Sequence, residues 1–137
     1  MSSRRIEFTY YPIPHVGGGP VWSPIIPIRI SCKNRETPYF VKALIDSGAD
    51  VNLFPAEHAE ALGISVKSGL LVKTGGVGGI VRAYRHNISI QVGNKIFKTT
   101  TDFTYEFRIA LLGRKGFFDL FKKVSFSEKK RMIVLDL

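Results

Sequence analysis

The sequence holds a single cysteine, Cys32, among 137 residues. One thiol excludes an intramolecular disulfide and a multi-cysteine zinc site, and it suits a reducing interior. Apolar runs are short: residues 24–28 and 109–112 are among the longest, far below the roughly 20 residues that span a bilayer, so no membrane partner is expected. The start, Met1-Ser2-Ser3-Arg4-Arg5-Ile6-Glu7, has no apolar stretch behind its arginines. No secretory signal is therefore expected, and the expected setting is cytoplasmic. His15, His58 and His86 have no metal-ligand spacing to one another, so neither a metal nor another cofactor is expected. Proline is almost absent from the body of the chain, with six of the seven within the first 38 residues.

Acidic residues are also scarce. Eleven of them face 20 basic residues, giving +9 at pH 7 and a pI near 9.9. Over half of the excess lies between residues 114 and 131, where Arg114, Lys115, Lys122, Lys123, Lys129, Lys130 and Arg131 face only Asp119 and Glu128. Such a patch suits nucleic acid as a partner or simply a solvated basic surface. No aromatic stacking motif, zinc-finger spacing or helix-turn-helix pattern accompanies it, which favours the solvated surface.

What is present fits one β-rich domain. Hydrophobic residues make up 45% and charged residues 23%, ordinary globular usage, and the length suits a single core. The Pro- and Gly-rich residues 1–23 read as an N-terminal extension, and residues 24–137 as the folded domain. Alternating or apolar segments predict strands over 6–11, 25–31, 39–45, 69–73, 80–84, 87–92, 95–103, 124–127 and 132–137. Gly93-Asn94 predicts a two-residue hairpin turn, and Lys33–Pro38 another turn. Pro55 and Gly63 bracket helix formers over 56–62, and 117–122 predicts a second short helix. Closely spaced strands with one or two short helices indicate a mainly β fold, a small barrel or sandwich.

Three pieces carry chemistry. Ala43-Leu44-Ile45 runs into Asp46-Ser47-Gly48-Ala49-Asp50, an apolar strand delivering a carboxylate into a tight turn. Thr74-Gly75-Gly76-Val77-Gly78-Gly79 lacks the Lys-Ser/Thr of a phosphate loop and reads as a glycine-rich hairpin tip. Ala110-Leu111-Leu112-Gly113-Arg114 is a further apolar strand, ending in Gly-Arg.

In this order the three pieces resemble the retropepsin-like aspartic proteases, with a D-S/T-G-A turn, a glycine-rich flap and an apolar-apolar-Gly-Arg motif. Residues 52–55 leading into a helix, and the hairpin over 124–137, look more like cellular and bacterial members than retroviral ones. The resemblance implies a small closed β-barrel and a homodimeric aspartic endopeptidase acting on extended peptides. It implies Asp46, Ser47 and Gly48 as the catalytic turn, with Asp46 from each chain forming the pair. Ala49, Asp50, Asn52, Gly76, Val77 and Gly78 are implied substrate contacts. Arg114 and Gly113 are implied supports, Arg114 through a buried pair with Asp50. A non-catalytic dimerisation or peptide-binding module on the same fold is the alternative reading, and a basic nucleic-acid-binding domain is a further one.

Overall fold

The structure is a computed structural model that describes residues 4–76 and 79–137. Residues 6–11, expected as one strand, divide into β1 (Arg5–Thr9) and β2 (Tyr11–Ile13), and β2 pairs with β3 (Val21–Ser23). The division falls at Tyr10, whose side chain is buried and donates its hydroxyl to Glu128 at 3.0 Å, while its N–H is held by the Arg131 carbonyl. Burying an aromatic ring at a strand junction turns the chain there without breaking its hydrogen bonding.

The barrel follows from alternation. In β4 (Ile25–Cys32), Ile26, Ile28 and Ile30 are fully buried while Pro27 is exposed. Lys33 and Asn34, both at positive φ, turn the chain into β5 (Arg35–Glu36), as a two-residue hairpin requires. β6 (Val41–Ile45) points Val41, Ala43 and Ile45 inward and starts later than expected, leaving Tyr39 and Phe40 exposed. β7 (Leu53–Pro55) then leads into α1 (Ala56–Ala61), which ends before Gly63 at positive φ.

Next come β8 (Leu70–Gly76), β9 (Gly79–Val92), β10 (Lys95–Thr104) and β11 (Ala110–Leu112). The strands expected over 80–84 and 87–92 are one strand, because nothing at Arg85-His86 turns the chain and both residues keep their ladder partners, Asp102 and Thr101. Pairing runs β4-β6-β11-β7-β10-β9 and returns from β9 to β4, which closes a six-stranded mixed barrel. β6–β11 and β7–β10 are its parallel pairs. Phe54, Phe103, Leu112 and Phe117 fill it, each fully buried.

Where a second helix was expected over 117–122, the chain makes only a 3-10 turn, Phe118–Leu120. Phe117 and Phe121 are drawn into the core, and the Lys122 N–H is taken by the Asp136 carbonyl, so no further helical turn can form. β12 (Lys123–Ser127) and β13 (Met132–Asp136) complete a separate sheet in the order β1-β13-β12. β1, within the stretch read as an extension, pairs with β13 from Arg5↔Asp136 to Thr9↔Met132.

Burial, reinforced by Glu128, pushes the Tyr10 hydroxyl up to about 12. The fold therefore holds the proton that an unfolded tyrosine loses near pH 10, and its stabilising contribution, complete below that pH, disappears as pH rises through about 12. Tyr10→Phe is expected to cost about 1–2 kcal/mol at neutral pH. It should also remove this alkaline loss, which denaturant melts of both proteins across that range will reveal.

Candidate active site

β6 and β11 lie side by side in parallel, with Leu112 paired to Ile45, so both strands end at the same edge of the barrel. One delivers Asp46-Ser47-Gly48, and the other Gly113-Arg114. The Asp46 N–H donates to the Leu112 carbonyl at 3.0 Å, and the Ile45 N–H to the Pro24 carbonyl at 2.9 Å, which anchors the root of the turn from both sides. Asp46 itself is half-buried, and its Oδ1 accepts the Gly48 N–H at 2.9 Å. The turn thus orients its own carboxylate. Ala49 N–H closes the turn onto the Asp46 carbonyl at 3.1 Å.

The two loops are then joined along their length. Arg114 N–H donates to the Ala49 carbonyl and Lys115 N–H to the Asp50 carbonyl, each at 2.9 Å, and Val51 bridges to Lys115. Gly113 passes so close to Val51 that a Cβ there would run into the Val51 backbone, and glycine alone avoids the clash. Asn52 fastens the arrangement from below. Its Oδ1 accepts the Gly113 N–H at 3.0 Å, and its Nδ2 donates to the Thr100 carbonyl at 3.2 Å. Backbone groups from β10 and the end of β11 are therefore satisfied by one buried amide.

A model of the aspartyl protease family matches residues 30–114, the span that contains both loops. The chain belongs to the aspartyl protease family. Among solved structures, this aspartyl protease is similar to a retropepsin-like aspartic protease from Rickettsia conorii, with 20% identity, a TM-score of 0.65, and 96% of this chain and 89% of that one covered. It is also similar to the EIAV protease complexed with the inhibitor HBY-793, with 21% identity, a TM-score of 0.51, and 74% and 88% covered. No curated protein matches it in sequence. Its barrel is the retropepsin fold, and the family makes it an aspartic endopeptidase.

The protease brings Asp46, Ser47, Gly48, Ala49, Asp50, Gly113 and Arg114 together at one edge. Ser47, Gly48 and Asp50 are exposed, and Ala49 is buried. Arg114 meets Asp50 at 2.7 Å as expected, but within the single chain the pair is not buried: both side chains are about two-thirds exposed, at 64% and 66%. An exposed pair of this kind contributes at most about 1 kcal/mol within one chain. Asn52 requires a second correction. Read from sequence as a substrate contact, it is fully buried with both ends of its amide engaged by backbone, so it supports the turn instead of meeting the peptide.

The glycine-rich hairpin is formed by β8 and β9, paired up to Gly76↔Gly79, while Val77 and Gly78 lie outside the described residues. Its base is fixed by the Thr104 hydroxyl donating to the Arg82 carbonyl at 2.8 Å, and by Glu106 accepting the Arg82 N–H at 3.1 Å. Sequence reading missed one further support. Arg85 grips Asp102 through two bonds of 2.8 and 3.1 Å, with the carboxylate only 1% exposed. Hydrogen bonding to Asp102 raises the arginine's pKa against the opposing effect of burial. An acidic residue inside an apolar strand end, Asp102-Phe103, was the available signal.

Proposed function

We propose that two copies of this protease assemble one active site, with an Asp46 from each chain as the catalytic pair. The reading rests on a single observation: each chain supplies one carboxylate at the end of a buried strand, oriented by the Gly48 N–H. Two carboxylates about 3 Å apart cannot both ionise, so they share one proton. The ionised member takes a proton from a water held between them, and the water oxygen bonds to the peptide carbonyl carbon. The protonated member gives its proton to the carbonyl oxygen, forming a tetrahedral diol. Proton transfer to the amide nitrogen then breaks the C–N bond and releases an acid and an amine. Gly48 and Asp50 align the substrate as an added strand.

A two-chain site has a distinctive signature. Wild-type protein refolded with an equal amount of Asp46→Asn forms mixed dimers that carry a single carboxylate. Peptide cleavage is expected to fall to about half of what the same wild-type protein gives alone, as random pairing dictates. Activity that simply follows the amount of wild-type chain would overturn the two-chain reading.

A further inference from the structure

Beside the active-site turn lies a cleft of about 540 Å³ that the mechanism above does not use. Val51 lines one side of it, and β9 and β10 supply Arg85, Lys98 and Asp102. The segment after β11 supplies Lys115 and Asp119. Three cations and two carboxylates therefore meet there, and one of the carboxylates, Asp102, is engaged by a cation. Asp102 is buried under Arg85, and Asp119 accepts the Gly116 N–H at 3.0 Å.

Arg85 uses Nε and Nη2 on Asp102, which leaves Nη1 uncommitted on a side chain that is 39% exposed. Among the described residues, the ion pairs engage Arg5, Arg29, Arg82, Arg85 and Arg114, and neither Lys98 nor Lys115. The cleft thus offers one guanidinium fixed from behind and two ammonium groups in no ion pair, against one carboxylate, Asp119, that is likewise in none.

Position supplies the rest. Val51 directly follows Asp50 and is bridged to Lys115, so the cleft begins where the active-site turn ends. A substrate strand laid along Gly48 and Asp50 and continued past Asp50 runs toward the Val51 rim, advancing about 3.3 Å per residue. We propose that this cleft receives an acidic side chain of the peptide substrate, about three to four residues from the bond being cut. With one cleft per subunit, the preference applies on both sides of the scissile bond. This inference rests on the proposed peptidase reading, and two measurements separate them.

The first is a digest of a mixed peptide library, with cut sites mapped by mass spectrometry. Wild type is expected to enrich Asp and Glu three to four residues from the cut, with matched Glu peptides cleaved about 10-fold faster than Gln peptides. Lys98→Gln/Lys115→Gln should bring that ratio close to one. Lys129→Gln/Lys130→Gln, of equal net charge but on the exposed turn between β12 and β13, should keep it. Cleavage by wild type without that enrichment, or enrichment that survives in Lys98→Gln/Lys115→Gln, overturns the inference.

The second measurement needs no cleavage: binding of fluorescent hexaglutamate to Asp46→Asn protein with either lysine pair replaced. Selective weakening by Lys98→Gln/Lys115→Gln supports the cleft even where wild type cuts nothing, an outcome that would remove the peptidase reading alone. Equal weakening by both pairs marks general charge attraction and overturns the cleft.

Discussion

Purified Asp46→Asn protein is expected to cleave no peptide, its rate falling at least ~1,000-fold, with melting temperature and association state unchanged. The substitution is close to isosteric, and the asparagine Oδ1 can still accept the Gly48 N–H that orients the side chain. Asp46 is only half-buried, so an amide replaces it at small cost in solvation. What disappears is the titratable proton. An amide cannot take a proton from water at neutral pH, nor share one with its partner across the pair. Cleavage followed by mass spectrometry beside thermal melts and sedimentation checks both halves of the expectation. Substantial cleavage by Asp46→Asn would remove Asp46 from the chemistry.

The second large effect is on stability. Asn52→Leu leaves the Gly113 N–H and the Thr100 carbonyl without the partner that now satisfies them. Stranding a buried polar group costs about 1–3 kcal/mol, so the pair costs roughly 2–5 kcal/mol against a typical total of about 5–15 kcal/mol. Leucine recovers little of this, because the site is shaped for a planar amide between two backbone segments. A fall in melting temperature of about 10 °C or more is expected, with peptidase activity lost at correspondingly lower temperatures. Loss of folded protein agrees with this, whereas a shift within about 2 °C would show that Asn52 is not the fastening described.

The catalytic turn was legible in the sequence because its chemistry is local. Asp46 is oriented by a residue two positions on, and a strand followed by Asp-Ser-Gly carries that information without any distant partner. The alternating isoleucines of β4 were legible for the same reason. Asn52 was not, since its partners are 48 and 61 residues away and its burial depends on how β10 and β11 come together. Arg85 looked like an interruption between two strands until Asp102, 17 residues on, supplied its partner. Composition over 117–122 suited a helix, but capture of Lys122 by Asp136 in the terminal sheet outweighed that local preference.

The terminal sheet has a consequence for how the molecule is made. Among the described residues its first strand pairs with β13, and the Arg5–Asp136 contact spans 131 positions of the chain. On a ribosome adding about 5–20 residues per second, the barrel strands emerge well before β13. Until then β1 has no partner, and Tyr10 has neither Glu128 nor Arg131 to hold it. A connection of such long range makes late closure the slow part of folding. The growing chain thus carries its carboxylate early and completes this fold only when synthesis has passed β13.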